Sequence, residues 1–425
     1  MEVFKFGGAS VKDAEGVRNV GVILKRLEGE KLLIVVSAMA KTTNSLEKLV
    51  NSFIQKDENS IQLFNDIKNW HISLLNELIN DSNNPAFEQI ENLFVELDWI
   101  LEEEPHDDFD FVYDQIVSFG ELFSTCIVAA YLKSIGLPVF WLDARNCIKT
   151  DNSYREAIVD WKETQEAVNL IKADLDKNLI PLTQGFIGGT SENYTTTLGR
   201  EGSDYTAAIF ANCLDADSMT IWKDVDGVFS ADPKQFSGLE GGFKPHLFTK
   251  LSYIEAIEMT YFGATVIHPK TIKPLQNKSI PLLVKPFLKP EQAGTYIGII
   301  EENVKYDPSV IIKQNQLLIS ISSKDASFIA EDHLHVIFGI FASNQVRINL
   351  MQNAALSFSV SFDNDDNRRP KLLKALEEKF FVRYNDSLRL ITIRHYSEPL
   401  IIELLKGTKL FLEQRSRNVV QLLVK

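Results

Sequence analysis

The chain has 425 residues, of which 45% are hydrophobic and 24% are charged, and its formal net charge at pH 7 is −14. The length predicts two or three globular domains of ordinary composition. The acidic balance argues against nucleic acid as a partner, since binding a phosphate polymer requires clustered Lys and Arg. The three cysteines, Cys126, Cys147 and Cys213, form no C-x-x-C pair, so the sequence indicates neither a disulfide framework nor a zinc ribbon.

No targeting or membrane-spanning segment is predicted. The chain reaches Gly7-Gly8 before the apolar part of a secretory signal could form. No apolar run approaches the roughly 18 residues that a membrane span needs. We therefore expect a cytoplasmic protein without a membrane partner.

The beginning of the chain predicts a β-loop-α-β unit. Residues 3–6 are typical of a short strand, and Asp13 is predicted to cap a helix with apolar residues at helical spacing. Residues 32–36 are all apolar, as expected of a strand that is buried on both faces. This order is the signature of a parallel α/β sheet sandwiched by helices.

The α/β pattern continues to about residue 285. Residues from about 45 to 133 are predicted to be mainly helical, with an acidic loop at 102–108, and Gly136 is predicted to end the last of these helices. The further strand candidates are 138–142, 180–183 and 219–222.

Pro286, Pro290, Gly294 and Gly298 lie close together and predict a domain boundary. We expect a first domain at 1–290 and two small α+β modules at 291–425. The elements predicted in the second part are strands at 317–321, 346–350 and 356–362, helices at 333–342 and 370–380, and a less complete repeat of this pattern at 388–393, 400–405, 410–413 and 419–424.

The glycine pattern excludes two common nucleotide-binding loops. No Gly-Lys dipeptide occurs and no two glycines are separated by one residue, so neither a Walker A loop nor a G-x-G-x-x-G loop is present. The segment Lys5-Phe6-Gly7-Gly8-Ala9-Ser10 offers another solution, because backbone N–H groups in a tight turn at a helix N-terminus bind anions. An ordinary turn with a surface lysine is the alternative interpretation.

A second polar segment covers residues 184–204. A glycine-rich loop and three threonines precede Arg200, whose guanidinium suits a carboxylate or a phosphate. Ser203 and Asp204 follow at the start of a predicted helix. They are candidates for a binding site, and the alternative is that they only cap the helix.

Two more segments are candidates for binding. Residues 222–234 hold three aspartates and two lysines after a strand, which is where ligands bind in open α/β sheets; a solvated turn is the alternative. Glu121, in the sequence Ser-Phe-Gly-Glu, begins an apolar helix. It is either an anchor for a substrate ammonium or a carboxylate that favours the helix dipole.

In this order the motifs resemble the aspartokinase family of the amino-acid-kinase fold. The family pattern runs K-F-G-G-[ST]-S, a serine-bearing loop ending in Thr-Asn, S-F-G-E, Q-G-F-I-G, T-T-T-L-G-R-G-G-S-D, an aspartate-rich loop ending D-P-[RK], and F-G-A-K-V-[IL]-H-P. The matching segments are 5–10, Ser37 with Thr43-Asn44, 118–121, 184–188, 195–204, 224–234 and 262–269. The resemblance covers about 1–290, and the remainder resembles the paired ACT modules of the family.

The resemblance implies ATP-dependent phosphorylation of the side-chain carboxylate of L-aspartate, the first step towards lysine, threonine and methionine, with Mg²⁺ as the metal. It implies catalytic roles for Lys5 and Asp204. The residues implied to bind aspartate are Ser37, Thr43, Glu121, Arg200 and Ser203. Those implied to bind ATP are Lys5, Gly7, Gly8, Ser10, Lys223, Asp224, Phe229, Lys234 and Thr265. An amino-acid effector at the ACT modules and a homo-oligomer formed through them are also implied.

The sequence departs from the family pattern at several positions. Ala9 replaces a hydroxyl residue, Glu201 replaces a glycine, and Thr265 replaces a lysine implied to contact ATP phosphate. In the tail, Ala354-Ala355 replaces a Ser-Glu pair. Thr265 therefore leaves open a catalytically weakened amino-acid sensor. A third alternative is another kinase of this fold that acts on glutamate, carbamate or a nucleoside monophosphate, and the paired ACT-like tail and Glu121 argue against it.

Overall fold

The computed structural model describes residues 1–27, 29–175, 179–236, 242–264, 267–300 and 305–425, without the side chains of residues 173 and 174. The chain divides into two compact units. The first comprises Met1–Val228, Leu247–Ile257 and Val266–Glu301, and the second comprises Phe229–His246, Glu258–Thr265 and Glu302–Lys425.

The first unit is built from strands and helices in alternation. Its strands are β1 (Glu2–Phe6), β2 (Leu32–Val36), β3 (Val139–Leu142), β4 (Ile180–Gln184), β5 (Ile187–Gly189), β6 (Thr195–Thr197), β7 (Ser218–Lys223), β8 (Lys250–Ser252), β9 (Leu282–Pro286) and β10 (Thr295–Gly298). Its helices are α1 (Ala14–Lys25), α2 (Thr42–Ile54), α3 (Asn59–Leu78), α4 (Pro85–Glu102), α5 (Phe109–Val117), α6 (Phe119–Ser134), α7 (Ala144–Cys147), α8 (Trp161–Leu175), α9 (Gly202–Cys213) and α12 (Pro269–Asn277). Residues of α11 (Tyr253–Tyr261) belong to both units, and α10 (Pro233–Phe236) belongs to the second.

Eight of these strands form one sheet in the order β3-β4-β2-β1-β7-β9-β10-β8, and β5 pairs with β6 as a separate hairpin. The first six strands of the sheet are parallel to their neighbours. Their carboxyl ends therefore lie along one edge. This edge is where loops of open α/β sheets bind ligands.

The core of the first unit packs helices against this sheet. All five residues of β2 are buried, as expected for a strand covered on both faces. The helical stretch Phe109–Ser134 is the one among the described residues that is long and apolar enough to cross a membrane, but 89% of its apolar window is buried inside the protein. It is a core helix, because its apolar side chains already have protein neighbours.

Two local predictions for this unit are confirmed, one by a hydrogen bond and one by a backbone angle. The Asp13 carboxylate accepts from the Gly16 N–H at 2.8 Å and caps α1. Gly136 has a positive φ of 87° just after the end of α6, a conformation that favours glycine.

The second unit contains a six-stranded antiparallel sheet in the order β12-β13-β11-β14-β16-β15. Its strands are β11 (Ser309–Ser323), β12 (Ile348–Asn353), β13 (Phe358–Asp363), β14 (Phe380–Arg394), β15 (Leu410–Arg415) and β16 (Val419–Val424). Its further helices are α13 (Glu331–Ser343), α14 (Arg369–Lys379) and α15 (Glu398–Leu405).

Two α+β modules share the long strands β11 and β14. One hydrophobic cluster joins α13 and α14 to one half of these strands, and another joins α15 to the other half. The register of β11 against β14 shifts between Lys313 and Gln316, which is where the two halves meet. The predicted fold class, a mainly parallel α/β sheet followed by ACT-like α+β modules, is confirmed. The two 15-residue strands are much longer than the segments predicted within them.

Candidate active site

Parallel strands bring two lysines to the ligand-binding edge of the first sheet. Lys5 lies next to the end of β1 and is in register with Ile221 of β7. Lys223 is the last residue of β7. Because β1 and β7 are neighbours and run in the same direction, both side chains belong to the same edge.

Asp204, in the first turn of α9, contacts both lysines. Its Oδ1 lies 2.6 Å from Nζ of Lys5, and its Oδ2 lies 3.8 Å from Nζ of Lys223. Burial by itself would raise the pKa of Asp204, but the two ammonium groups outweigh this effect and hold that pKa below its usual value. The ionised carboxylate therefore fixes two cations at the strand ends.

The turn after β1 packs closely against the loop after β2. A Cβ at position 8 would lie 2.5 Å from the carbonyl oxygen of Ala38, so glycine is required there. The hydroxyl of Ser10 donates to the carbonyl of Trp222 at 3.3 Å, which ties the turn to β7. A Cβ added at Gly7 would have one neighbour within 4 Å, Nζ of Lys5 at 3.5 Å. The backbone of the turn is therefore open towards that cation.

A second carboxylate, that of Glu121, is buried near the same turn. Glu121 is 3% exposed; its Oε1 accepts from the N–H of Ala38 at 3.3 Å, and its Oε2 has no hydrogen-bond partner within the described ranges. Burial raises the pKa of Glu121 to about 8, although the Ala38 N–H and the charge of Lys5 oppose the shift. Leaving a buried oxygen unpaired is costly, so a cationic ligand would relieve a cost that the free protein carries.

Ser37 and Thr43 lie on the segment that follows β2. The N–H of Ser37 donates to the carbonyl of Phe6 at 3.1 Å, and its carbonyl accepts from the hydroxyl of Ser124 at 2.6 Å. These backbone contacts fix the loop beside β1. Thr43 is in the first turn of α2 and is half-buried.

Arg200 lies in an exposed position of the turn between β6 and α9. Glu201, at the position before the first helical residue, has a positive φ of 55°, and its side chain does not cap the helix. Ser203 and Asp204 lie inside the helix, so the interpretation of these two residues as caps is wrong. Ser203 packs against Gly185, where a Cβ would lie 2.4 Å from the Ser203 Cβ.

The remaining predicted site residues are divided between the two units. Asp224 is exposed in the loop after β7, in the first unit. Phe229 and Lys234 belong to the second unit, where Lys234 is exposed in α10. Thr265 lies outside the described residues. The structure thus brings Lys5, Lys223 and Asp204 into contact, and the functional role of each residue stays a prediction.

Metal-ligand side chains do not cluster within the part of the chain that the structure describes. No group of three or more His, Cys, Asp or Glu there could hold a metal ion. All three cysteines are buried and free.

Sequence reasoning missed two buried polar residues behind the site. Asp114 in α5 accepts from the N–H and the hydroxyl of Thr197, each at 2.7 Å. His71 in α3 is 1% exposed, with Nδ1 2.7 Å from the carbonyl of Ile67 and Nε2 3.4 Å from the hydroxyl of Thr42. Both residues could have been found in the sequence, because each is a polar residue on the apolar face of a predicted helix. Such a residue is expected to be buried and therefore hydrogen-bonded.

Comparison with known proteins agrees with this architecture. The model of the amino acid kinase family matches residues 1–286. Lysine-sensitive aspartokinase 3 of Escherichia coli (strain K12) is 30% identical over 85% of this chain and 78% of its own length. A chloroplastic bifunctional aspartokinase/homoserine dehydrogenase of Zea mays is 33% identical over 73% of this chain, which spans 34% of that longer relative.

Two solved structures of E. coli aspartokinase III cover the whole of this chain at 27% identity. The complex of that enzyme with lysine and aspartate has a TM-score of 0.83 and is covered to 95% of its length. Its complex with aspartate and ADP has a TM-score of 0.81 and is covered to 96%.

The mainly parallel sheet and the matched family model define the amino-acid-kinase fold. The chain belongs to the amino acid kinase family, and within that family it belongs with the aspartokinases.

Proposed function

We propose that the protein transfers the γ-phosphoryl group of ATP to the side-chain carboxylate of L-aspartate, giving 4-phospho-L-aspartate and ADP. The observation that carries the proposal is the cluster of Lys5, Lys223 and Asp204 at the strand ends, in which Lys5 and Asp204 are buried. Its two cations suit a polyphosphate. The family membership and the aspartate and ADP bound by the E. coli relative support the choice of substrates.

On the nucleotide side, Lys5 and Lys223 neutralise charge on the phosphoryl group and its leaving oxygen. The Gly7-Gly8 turn offers backbone N–H groups to the same phosphates. Asp204 orients Lys5 rather than taking up a proton, because its pKa lies below the usual value. Phosphoryl transfer needs such alignment and charge neutralisation more than a protein nucleophile.

On the acceptor side, Arg200 binds the α-carboxylate of aspartate and Glu121 accepts the ammonium through its unpaired Oε2. Ser37, Thr43 and Ser203 hydrogen-bond the amino acid. The reacting carboxylate is already ionised at pH 7, so no strong general base is required. One of its oxygens forms the new bond to the γ-phosphorus, and the bond from that phosphorus to the β–γ bridging oxygen breaks.

Mg²⁺ belongs to this proposal as a companion of the nucleotide. The carboxylate of Asp204 is paired with two lysines, and no group of three metal ligands occurs among the described residues. The site therefore fits a metal that is held mainly by phosphate oxygens, as Mg²⁺ often is. When bound, it would add charge neutralisation on those oxygens.

The second unit is proposed to regulate the first. An E. coli relative is named lysine-sensitive and has been solved with lysine, which supports an amino-acid effector for the ACT-like modules of this unit. We also propose that the protein forms a homo-oligomer through these modules, which light scattering tests. We further propose a cytoplasmic location, which fractionation of cells that produce the protein tests.

The test is to trap the acyl phosphate with hydroxylamine, using purified protein, ATP, Mg²⁺ and L-aspartate. Aspartate-dependent hydroxamate supports the proposal, and parallel reactions with glutamate, carbamate and a nucleoside monophosphate test other kinases of this fold. The alternative of a weakened amino-acid sensor is motivated by Thr265, which replaces the family lysine. Amino-acid binding without hydroxamate would favour that alternative.

A further inference from the structure

One buried carboxylate lies behind the turn that carries Arg200. Asp114, in α5, is fully buried. Its Oδ1 accepts from the hydroxyl of Thr197 at 2.7 Å, and its Oδ2 accepts from the N–H groups of Thr197 at 2.7 Å and of Arg155 at 2.9 Å. Hydrogen bonds to an ionised acceptor are strong, and burial strengthens them further. Asp114 therefore fixes two separate backbone segments to α5.

Both of these segments contact the Arg200 turn. Thr197 is the last residue of β6, three positions before Arg200. The N–H of Ala157 donates to the carbonyl of Thr197 at 3.0 Å, so the loop at 155–157 lies along the strand end. A Cβ at position 199 would lie 3.2 Å from the carbonyl oxygen of Arg155. The turn is thus held both by its own strand and by the neighbouring loop.

We propose that Asp114 is the positioning residue for Arg200: it holds β6 and the 155–157 loop so that the Arg200 guanidinium is placed to receive the α-carboxylate of aspartate. The inference rests on the proposed function and adds a residue to it. Asp114 does not touch the substrate. It acts through the backbone of Thr197 and Arg155, since Arg200 itself is exposed and needs its turn to be fixed from behind.

Another aspartate on the same helix provides a matched control. Asp110 lies one helical turn before Asp114, is exposed, and bonds to the guanidinium of Arg155 at 3.2 Å. It contacts the side chain of Arg155, whereas Asp114 contacts its backbone. The substitutions Asp114→Asn and Asp110→Asn therefore remove equal charge from one helix, and only the first affects the strand end.

The experiment compares KM for aspartate, KM for ATP and kcat in the full-length wild type and the variants. Asp114→Asn should raise KM for aspartate at least fivefold and change KM for ATP less than twofold, because an uncharged amide oxygen accepts from the N–H groups of Thr197 and Arg155 more weakly than the carboxylate does. Asp110→Asn should change neither value by more than twofold. Thr197→Val removes one of the three hydrogen bonds to Asp114 and should raise KM for aspartate by an intermediate factor. This variant keeps the inference testable if Asp114→Asn does not fold.

Two additional measurements separate this inference from the proposed function. Hydrogen exchange of a peptide covering 195–205 in the ligand-free protein should become faster in Asp114→Asn and not in Asp110→Asn. Calorimetry gives the aspartate affinity without turnover. An active wild type together with an unchanged aspartate KM and affinity in Asp114→Asn and Thr197→Val would overturn the inference and leave the function intact. A wild type that neither phosphorylates nor binds aspartate would overturn both.

Discussion

Nζ of Lys5 lies 2.6 Å from Oδ1 of Asp204, and this contact joins the first strand of the chain to the helix that follows the Arg200 turn. The side chains are 10% and 4% exposed. Desolvation makes a buried ion pair weak evidence for added stability. The proposed function gives this pair another role, which is to hold a cation ready for a phosphate.

Lys5→Ala should lower kcat by about a hundredfold or more, since removing a preorganised group that stabilises transition-state charge has effects of this size. Steady-state kinetics with ATP and aspartate provide the measurement. Lys12→Ala is the control, because Lys12 is exposed just beyond the same turn. Near-normal turnover in Lys5→Ala would remove the role assigned to Lys5.

Asp204→Asn should destabilise the protein by about 3 kcal/mol, because it removes the counter-charge next to the buried ammonium of Lys5. The free energy of unfolding from urea titration provides the measurement. The double variant Lys5→Met/Asp204→Asn should recover part of this loss while remaining inactive. That result would separate the function of the pair from its stability.

An exposed ion pair serves as the control for this stability effect. Asp215 lies 2.5 Å from Lys278, with side chains 69% and 35% exposed. Asp215→Asn should change the free energy of unfolding by less than about 1 kcal/mol. Equal losses in Asp204→Asn and Asp215→Asn would contradict the burial argument.

Much of the site was accessible from sequence because its residues follow strands or begin helices. The apolar runs at β1, β2 and β7 locate three strand ends, and polar residues after them predict a ligand site in a parallel sheet. That argument places Lys5 and Lys223 among the candidate residues from the sequence alone, and the structure shows that both contact Asp204. The helix start at Gly202 was likewise predicted from the residues around it.

Other features depend on contacts between distant segments, which one sequence does not display. In the sequence, Asp114 is only a polar residue within an apolar helix. Its partner Thr197 is 83 positions away, so no local pattern joins the two. The long strands β11 and β14 contain exposed polar residues near their middles, where the two modules meet, and these residues break the apolar pattern that predicts a strand. Tertiary pairing outweighed local propensity there.

Aspartate binding should release a proton at pH 7. The pKa of Glu121 in the free protein is raised to about 8, so this carboxyl is mostly protonated at pH 7. An ammonium group bound to Oε2 favours the ionised form and lowers the pKa. Because the ionised form binds aspartate better, the affinity for aspartate should rise with pH from about 6 to 8 and then level off.

Calorimetric titration at pH 7 in buffers of different ionisation enthalpy measures the proton release. The apparent binding enthalpy of the wild type should vary with the buffer, and that of Glu121→Gln should not. The pKa of Asp114 is raised only to about 6, so Asp114 is already mostly ionised at pH 7 and the proton released there comes from Glu121. A buffer-independent enthalpy in the wild type would rule out Glu121 as the ammonium acceptor.

Thr265→Lys should lower KM for ATP severalfold, because the substitution restores the cation that the family pattern has at a position implied to contact phosphate. Steady-state kinetics at saturating aspartate check this prediction. Thr260→Lys, in α11 shortly before it, adds the same charge and serves as the control. An unchanged KM for ATP in Thr265→Lys would show that this position no longer contributes to nucleotide binding.

The most direct measurement is ³¹P NMR of the wild type and of Lys5→Ala during incubation with ATP, Mg²⁺ and L-aspartate. An acyl-phosphate resonance that requires aspartate, grows as ATP is consumed and is nearly lost in Lys5→Ala is the predicted result. The absence of that resonance in the wild type, or its undiminished appearance in Lys5→Ala, would contradict the assignment of phosphoryl transfer to these strand ends.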